Sequence, residues 1–260
     1  MMSTLWIAKT GLEAQQINMN VIANNLANVN TTGFKRSHAI FEDLIYKNLN
    51  HSHLITQKKS KKPNSIQIGT GVRPIATEKI FTMGNFSKTH SWKNLVINGE
   101  GFFKILLPNK HSLYTRDGSF QINSKRQLVT HHGYVVSPEI KIPENAETLK
   151  IDREGIVTSR TKDSIEPQML GQYTIFNFPN VSGLKNVGSN CYKSTSSSGE
   201  AIEGKPGNIG YGELYQGFLE TSNVNVAEEL VNMIQAQRAY EINSKVLTAT
   251  DQMLQKLTQL

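Results

Sequence analysis

The chain has 260 residues, 38% of them hydrophobic and 19% charged, with a formal net charge of +7 and a single cysteine. That is enough chain for one large or two modest domains with a real core, and the balance excludes a membrane-spanning or plainly disordered protein. The lone Cys191 excludes an internal disulfide, so the fold does not depend on oxidation and reads as holding a small buried thiol.

The first nine residues carry no basic flank, no long apolar run and no small-residue cleavage site, so no Sec-type signal peptide is expected. From Leu5 onward, apolar residues recur every seven positions. Leu5, Leu12, Met19 and Leu26 form one column, and Ala8, Gln15, Ile22 and Val29 form a second with one polar lapse. Sevenfold spacing predicts a helix that packs along another helix, here over residues 3–30. Gly33, after Thr31 and Thr32, is placed to take the left-handed turn that stops it. Asparagine is dense inside this helix: Asn18, Asn20, Asn24, Asn25 and Asn28. Asn is a poor helix former, but its neutral amide donates and accepts, so these side chains are expected to fix register at a helix–helix contact.

Residues 41–46 are a short apolar piece, strand or helix. Residues 47–64 are polar and basic, and read as a loop or an extended hairpin. The cluster Lys58, Lys59, Lys61 and Lys62 next to Pro63 raises nucleic-acid binding, because clustered cations hold phosphate. No recognition helix, zinc finger or aromatic RNA-binding signature accompanies it, so a solvated loop is the better reading and no nucleic-acid partner is expected.

Between residues 66 and 192 the period falls to two and turn signals become frequent. Asn98-Gly99, Pro108-Asn109, Asp117-Gly118, His132-Gly133 and Glu154-Gly155 separate short apolar runs. Many short strands between regular turns predict an all-β domain, and Asp117-Gly118 is the strongest hairpin signal. A connector rich in Ser and Gly follows over 194–212. Helix signals resume at Asn225, a plausible N-cap with Glu228 three residues on. The last helix is expected over residues 226–257, with Val226, Met233, Tyr240, Leu247 and Leu254 in one sevenfold column. Leu230 and Gln237 open a mixed companion column. The predicted fold is α+β. Residues 1–33 and 223–260 form a discontinuous assembly domain of two long, coiled-coil-like terminal helices. Residues 34–65 and 194–222 connect it to a β-rich core over 66–193.

No constellation argues for chemistry. His51 and His53, or His131 and His132, lack the spacing and carboxylate of a helical metal site. The glycine pairs around 69–71 and 99–101 lack nucleotide-loop context, and no Gly-x-Ser-x-Gly elbow occurs. No cofactor, no metal and no enzyme activity are expected, and no segment is apolar enough to insert in a membrane.

Residues 23–35 (ANNLANVNTTGFK) resemble the N-terminal signature of the bacterial flagellar rod and hook family. Residues 220–231 (ETSNVNVAEELV) and 237–241 (QRAYE) resemble its C-terminal signature. Residues 96–103 (VINGEGFF) and 114–120 (YTRDGSF) resemble its β core. The likeness spans essentially the whole chain, and the opening and ending are most similar to the distal rod members. Residues 46–63 fall where those members carry an extra stretch relative to the hook subunit, here unusually rich in lysine.

The resemblance implies a structural subunit that polymerises helically into a hollow shaft transmitting torque from motor to hook. Implied partners are copies of itself, the proximal rod proteins, the hook protein and the surrounding basal-body rings. Export would run through the flagellar type III apparatus without signal cleavage, to a rod that spans the periplasm. The expected assembly residues are Leu5, Leu12, Met19, Ile22, Asn24, Asn25, Leu26, Asn28, Gly33, Phe34, Val226, Leu230, Met233, Gln237, Tyr240, Leu247 and Leu254. A proximal rod or hook subunit is the alternative within the family. A secreted binding module or hydrolase with helical ends is the alternative outside it.

Overall fold

A computed structural model describes residues 2–48, 67–109, 111–161 and 164–259. The expectations for 49–66, including most of the 46–63 stretch and His51 and His53, lie outside the described residues. The chain divides into two units. The first comprises residues 1–26, 37–78 and 226–260, and the second 27–36 and 79–225. The fold is α+β.

The first unit holds α1 (Met2–Ala27), β1 (Ser37–Asp43), β2 (Lys47–Asn48), β3 (Gln67–Ile68), β4 (Val72–Lys79, whose last residue belongs to the second unit) and, far along the chain, α2 (Val226–Thr258). β1 pairs with β4, and β2 with β3. Helix α1 ends three residues before the sequence suggests. Asn28 accepts from Thr31 twice, through its backbone oxygen at 3.1 Å and its Oδ1 at 3.1 Å, and this closes a turn in place of a further helical one. Of the apolar piece at 41–46, residues 41–43 end β1 and 44–46 belong to no helix or strand.

The two helices run antiparallel. A Cβ on Gly11 would lie 3.0 Å from the Asn243 amide, and Asn25 Nδ2 lies 3.4 Å from Glu229 Oε2. From 11 to 25 on α1 and from 243 back to 229 on α2 is fourteen residues each, so the helices stay aligned over roughly 21 Å. Gly11 costs helix propensity. Its missing side chain is what lets α2 come this close.

The second unit is β-rich: β5 (Phe86–Lys88), β6 (Leu95–Asn98), β7 (Phe103–Leu106), β8 (Ser112–Thr115), β9 (Gln121–Ile122), β10 (Leu128–Val129), β11 (Val135–Ser137), β12 (Ala146–Ile151), β13 (Ile156–Thr161), β14 (Ser164–Gln172), β15 (Ile175–Asn177), β16 (Lys185–Gly188), β17 (Cys191–Lys193), β18 (Ile202–Gly204), β19 (Glu213–Gln216) and β20 (Phe218–Glu220). Seven strands form one antiparallel sheet in the order β16-β17-β8-β7-β11-β10-β9. β12-β13-β14 form a second sheet, and β19-β6, β20-β5 and β15-β18 are two-stranded. Period-two alternation is visible on β7, where Phe103 and Ile105 are buried and Lys104 and Leu106 half-buried. All of Leu95, Val96 and Ile97 on β6 is buried.

Leu95, Ile97, Phe103, Ile105, Leu128, Val157, Ile175 and Leu214 lie in one apolar core. An aromatic cluster of Phe102, Tyr114, Phe176, Phe178 and Tyr192 packs edge to face, with Tyr114 and Phe178 centroids 4.8 Å apart.

Asp117-Gly118 does not make a hairpin. β8 pairs with β7 and β17, whereas β9 pairs with β10 at the far edge of the same sheet. Arg116 donates to the Ile97 and Gly99 carbonyls, and Leu95 N–H donates to Gly118 O. These bonds carry the chain across the end of β6 instead of back along β8.

Candidate functional site

In the β-rich unit, the chain arrives from α1 and leaves toward α2 at one junction. Gly33 has φ of +67°, and a Cβ there would meet Asp117 N at 2.7 Å, so only glycine fits. Its N–H donates to Glu220 O at 2.9 Å. Thr32 Oγ1 donates to Asp117, and Asn190 Nδ2 donates to Thr32 O. Phe34 is buried with the Lys79 ammonium 4.6 Å over its ring.

Lys35 is wholly buried. Its Nζ donates to Glu220 Oε1 at 2.6 Å and to Thr82 O at 2.7 Å, and Gly84 N–H donates to the same Glu220 oxygen at 3.0 Å. Arg116 Nη1 lies 3.9 Å from Glu220 Oε2. One carboxylate therefore faces two buried cations, and Glu100 also attracts Arg116. Burial lowers the Lys35 pKa from its usual value, and the Glu220 charge works against that; burial acts in the same direction on Arg116. Next to this cluster, Asn223 accepts from Arg36 N–H at 2.7 Å and donates to Ile80 O and Thr82 O at 2.8 and 3.2 Å.

In the first unit, Asn25 is 1% exposed. Its Oδ1 accepts from Ser37 N–H at 2.9 Å and its Nδ2 donates to Ser37 O at 2.9 Å, so the amide pairs with the start of β1 as a neighbouring strand would. The Nδ2 contact to Glu229 on α2 is the longer one. Thus the asparagine expected to set helix register chiefly holds a strand.

Leu5, Leu12, Met19 and Leu26 are half-buried on α1, and Ile22 is buried. Asn24 is exposed and Asn28 half-buried. On α2, Met233, Leu247 and Leu254 are half-buried, whereas Val226, Leu230, Gln237 and Tyr240 are exposed. On α2, Glu229 and Asn243 touch α1, and Ala236 and Thr250 continue their sevenfold column; all four are buried or half-buried. It was not legible as an apolar stripe because small and polar residues fill it, which suits a close helix pair. Outside it, Ile242, Val246, Met253 and Leu257 are 40–61% exposed. Their spacing of four, seven and four puts them on one face, roughly 80° round the helix from the α1 contact.

Lys35, Arg116, Glu220 and Asn223 were not singled out from sequence. The available signal was their place inside the segments 23–35, 114–120 and 220–231 that resemble the family signatures. Ser119 and His131 do sit together, with Nε2 3.1 Å from Oγ. Gln121 Nε2 donates to His131 Nδ1, so Nε2 carries the proton and donates to Ser119, while Ser119 donates to Asp117 at 2.7 Å. That polarity is the reverse of a base activating a serine. Among the described residues, no three His, Cys, Asp or Glu side chains gather as a metal site, and no helix is long and apolar enough to cross a membrane.

Three family models match the chain. Residues 5–35 match "Flagella basal body rod protein", 96–159 match "Flagellar hook protein FlgE/F/G D1 domain", and 215–260 match "Flagellar basal body rod FlgEFG protein C-terminal". The flagellar basal-body rod protein FlgG of Buchnera aphidicola subsp. Baizongia pistaciae is 56% identical over 100% of both chains. The chain belongs to the FlgG family of flagellar rod proteins. FlgG of Borreliella burgdorferi is 49% identical over 98% of this chain and 97% of its own, and FlgG of Bacillus subtilis is 35% identical over 100% and 99%. Membership in the FlgG family makes this chain a structural subunit of the rod, in the flagellar basal body. Both ends of the junction, Gly33–Lys35 and Glu220–Asn223, fall inside matched segments.

Proposed function

We propose that the chain is a distal rod subunit that polymerises helically into a hollow shaft and carries torque from motor to hook. The observation that carries this reading is the second apolar face of α2. One face of the helix is used by α1, and Ile242, Val246, Met253 and Leu257 remain for another molecule. A patch that meets a different patch on the next copy propagates without closing, which makes a filament. The columns Leu5–Leu26 and Val226–Leu254, with Leu230 and Gln237, flank this contact. Amides among them resist salt better than ion pairs do.

The FlgG relatives are named as basal-body rod proteins, and assembly with other flagellar components follows for this chain. Proximal rod proteins below, the hook protein above and rings around the shaft fit that place. Export through the flagellar type III apparatus, a periplasm-spanning position and a purely mechanical role without catalysis belong to the same reading. Each terminal helix alone buries little apolar surface, so completion of the ends on assembly fits as well. Electron microscopy of the purified, concentrated chain is the test: straight hollow filaments support it, and a monodisperse monomer at all concentrations refutes it.

A further inference from the structure

An apolar knob on the β18–β19 loop lies near the start of β7, and an apolar pocket lies near its end. The knob is Ile209, fully exposed at 103% of its reference area, in the loop joining β18 to β19. This loop is stiff. Gly207 N–H donates to Gly212 O, Asn208 N–H to Lys205 O and Tyr211 N–H to Asn208 O. Gly207 and Gly210 flank the tip with φ of +83° and +84°, and Asn177 Nδ2 donates to Gly210 O. A β-branched apolar side chain held rigidly in water has no role within its own molecule, and its rigidity lowers the ordering cost of docking.

The pocket, about 520 Å³, is lined by Leu106, Leu107, Pro108, Gly133 and Val135, with Glu139 among its lining residues. It is roomy enough for the tip of a loop and not only for one side chain. Its walls are mostly apolar, and among the described residues the charged one that lines it is Glu139, whereas the knob loop carries Lys205, which is exposed. The Lys205 and Glu139 charges are thus complementary.

The two features cannot meet within one molecule. The knob loop is anchored to Glu100, through Gly212 N–H, just before β7, and the pocket residues Leu106–Pro108 end and follow it. At strand rise, roughly 20 Å separates them. We propose that successive copies dock head to tail through the β-rich unit, with Ile209 of one copy in the Leu106–Val135 pocket of the next and Lys205 paired with Glu139. The contact joins unlike patches, so it extends indefinitely. The inference rests on the polymer reading above and adds a contact independent of the terminal helices.

Cross-linking tests it on the full chain in a Cys191→Ala background. Pro108→Cys and Ile209→Cys, both at exposed positions, are made singly and together, and treated with a short bis-maleimide under filament-forming conditions. The expected result is a ladder from the double variant, a dimer from mixed single variants, and neither from either single variant alone. Filaments without these cross-links overturn the contact and leave the rod reading standing; a chain that forms no filaments removes both. Lys205→Glu and Glu139→Lys should each raise the concentration needed for assembly by ~10-fold, with near-normal assembly restored when both are combined. Equal assembly by the single and combined variants counts against the pairing, and circular dichroism identical to the unmodified chain keeps misfolding out of the comparison.

Discussion

Lys35 Nζ lies 2.6 Å from Glu220 Oε1, although 185 residues separate them in the chain. The pair joins the segment that follows α1 to the segment that precedes α2, inside the β-rich unit. Arg116 adds a second cation to the same carboxylate. The order of damage follows from charge. Glu220→Gln strands two buried cations and should cost about 3–5 kcal/mol of stability in this unit. Lys35→Met leaves Glu220 with Arg116 and should cost less. Urea unfolding followed by circular dichroism checks the ranking, and a larger loss for Lys35→Met overturns it.

Asn25 replaces a backbone partner for Ser37, so both halves of its amide matter. Asn25→Asp keeps the acceptor but turns a second oxygen toward Ser37 O and Glu229. A loss of about 2–3 kcal/mol is expected in the helical unit. Asn20→Ala, at an exposed α1 position, should stay within about 0.5 kcal/mol. Equal effects from the two substitutions in thermal melts would show that the Ser37 contact contributes nothing.

Gly11 sets two effects against each other. Alanine there gains about 1 kcal/mol of helix propensity. Its Cβ meets the Asn243 amide at 3.0 Å, and that flexible side chain can give way, so Gly11→Ala should be close to neutral. Gly11→Leu cannot be absorbed and should separate α1 from α2. Limited proteolysis reads this as faster cleavage within residues 2–27; unchanged cleavage of Gly11→Leu would remove the close approach as an explanation for the glycine.

Alkali should destabilise the β-rich unit. Burial, with a smaller contribution from Asp117, pushes the Cys191 thiol up to about 11 from 9.0, and burial raises the Tyr173 and Tyr192 phenols above their usual 10.0. The folded values exceed the unfolded ones, so this stabilisation is complete below pH 9 and is lost as pH climbs through 9–11 and beyond. Burial raises the Tyr114 phenol as well, whereas it lowers Lys35 and Lys79, which oppose the trend by gaining stability toward pH 10.5; over this span four groups lose stability and two gain it. Cys191→Ala should remove roughly 2 kcal/mol of the pH dependence between 9 and 11. Urea midpoints measured from pH 7 to 11 check this, and midpoints that rise over that span contradict it.

Val246→Asp and Ile242→Asp lie on the outer face of α2, so each should change monomer stability by less than about 0.5 kcal/mol while blocking filaments. Leu247→Asp, half-buried, should disturb the monomer as well. Sedimentation and microscopy separate the two classes; filaments from Val246→Asp would move the seam to another face.

Much of this was legible in order of appearance. Sevenfold spacing in residues 5–29 and 226–254 located both helices to within three residues, because helix periodicity is a local property that burial on one side imposes on sequence. Alternation and turn pairs located the β-rich segment for the same reason. The Asp117-Gly118 signal failed because its competitor is distant: Arg116 reaches the Ile97 and Gly99 carbonyls, and no local pattern registers that. The α1-facing column of α2 was missed because close approach selects Ala, Asn and Thr, which carry no apolar signature.

The sequence alone determined that two long helices end the chain, that short strands fill the middle, and that the motifs belong to the rod and hook family. The first two are consequences of periodicity and of residues adjacent in the chain, and the third of the likeness of short motifs to the family's signatures. Tertiary structure decided which charges meet, which side of α2 is spent on α1, and that Asn25 serves a strand. Such outcomes depend on burial and on contacts across as many as 204 residues, as between Asn25 and Glu229. A buried charge or amide is stable only where the fold delivers its partner, and that delivery is not written in the neighbouring residues.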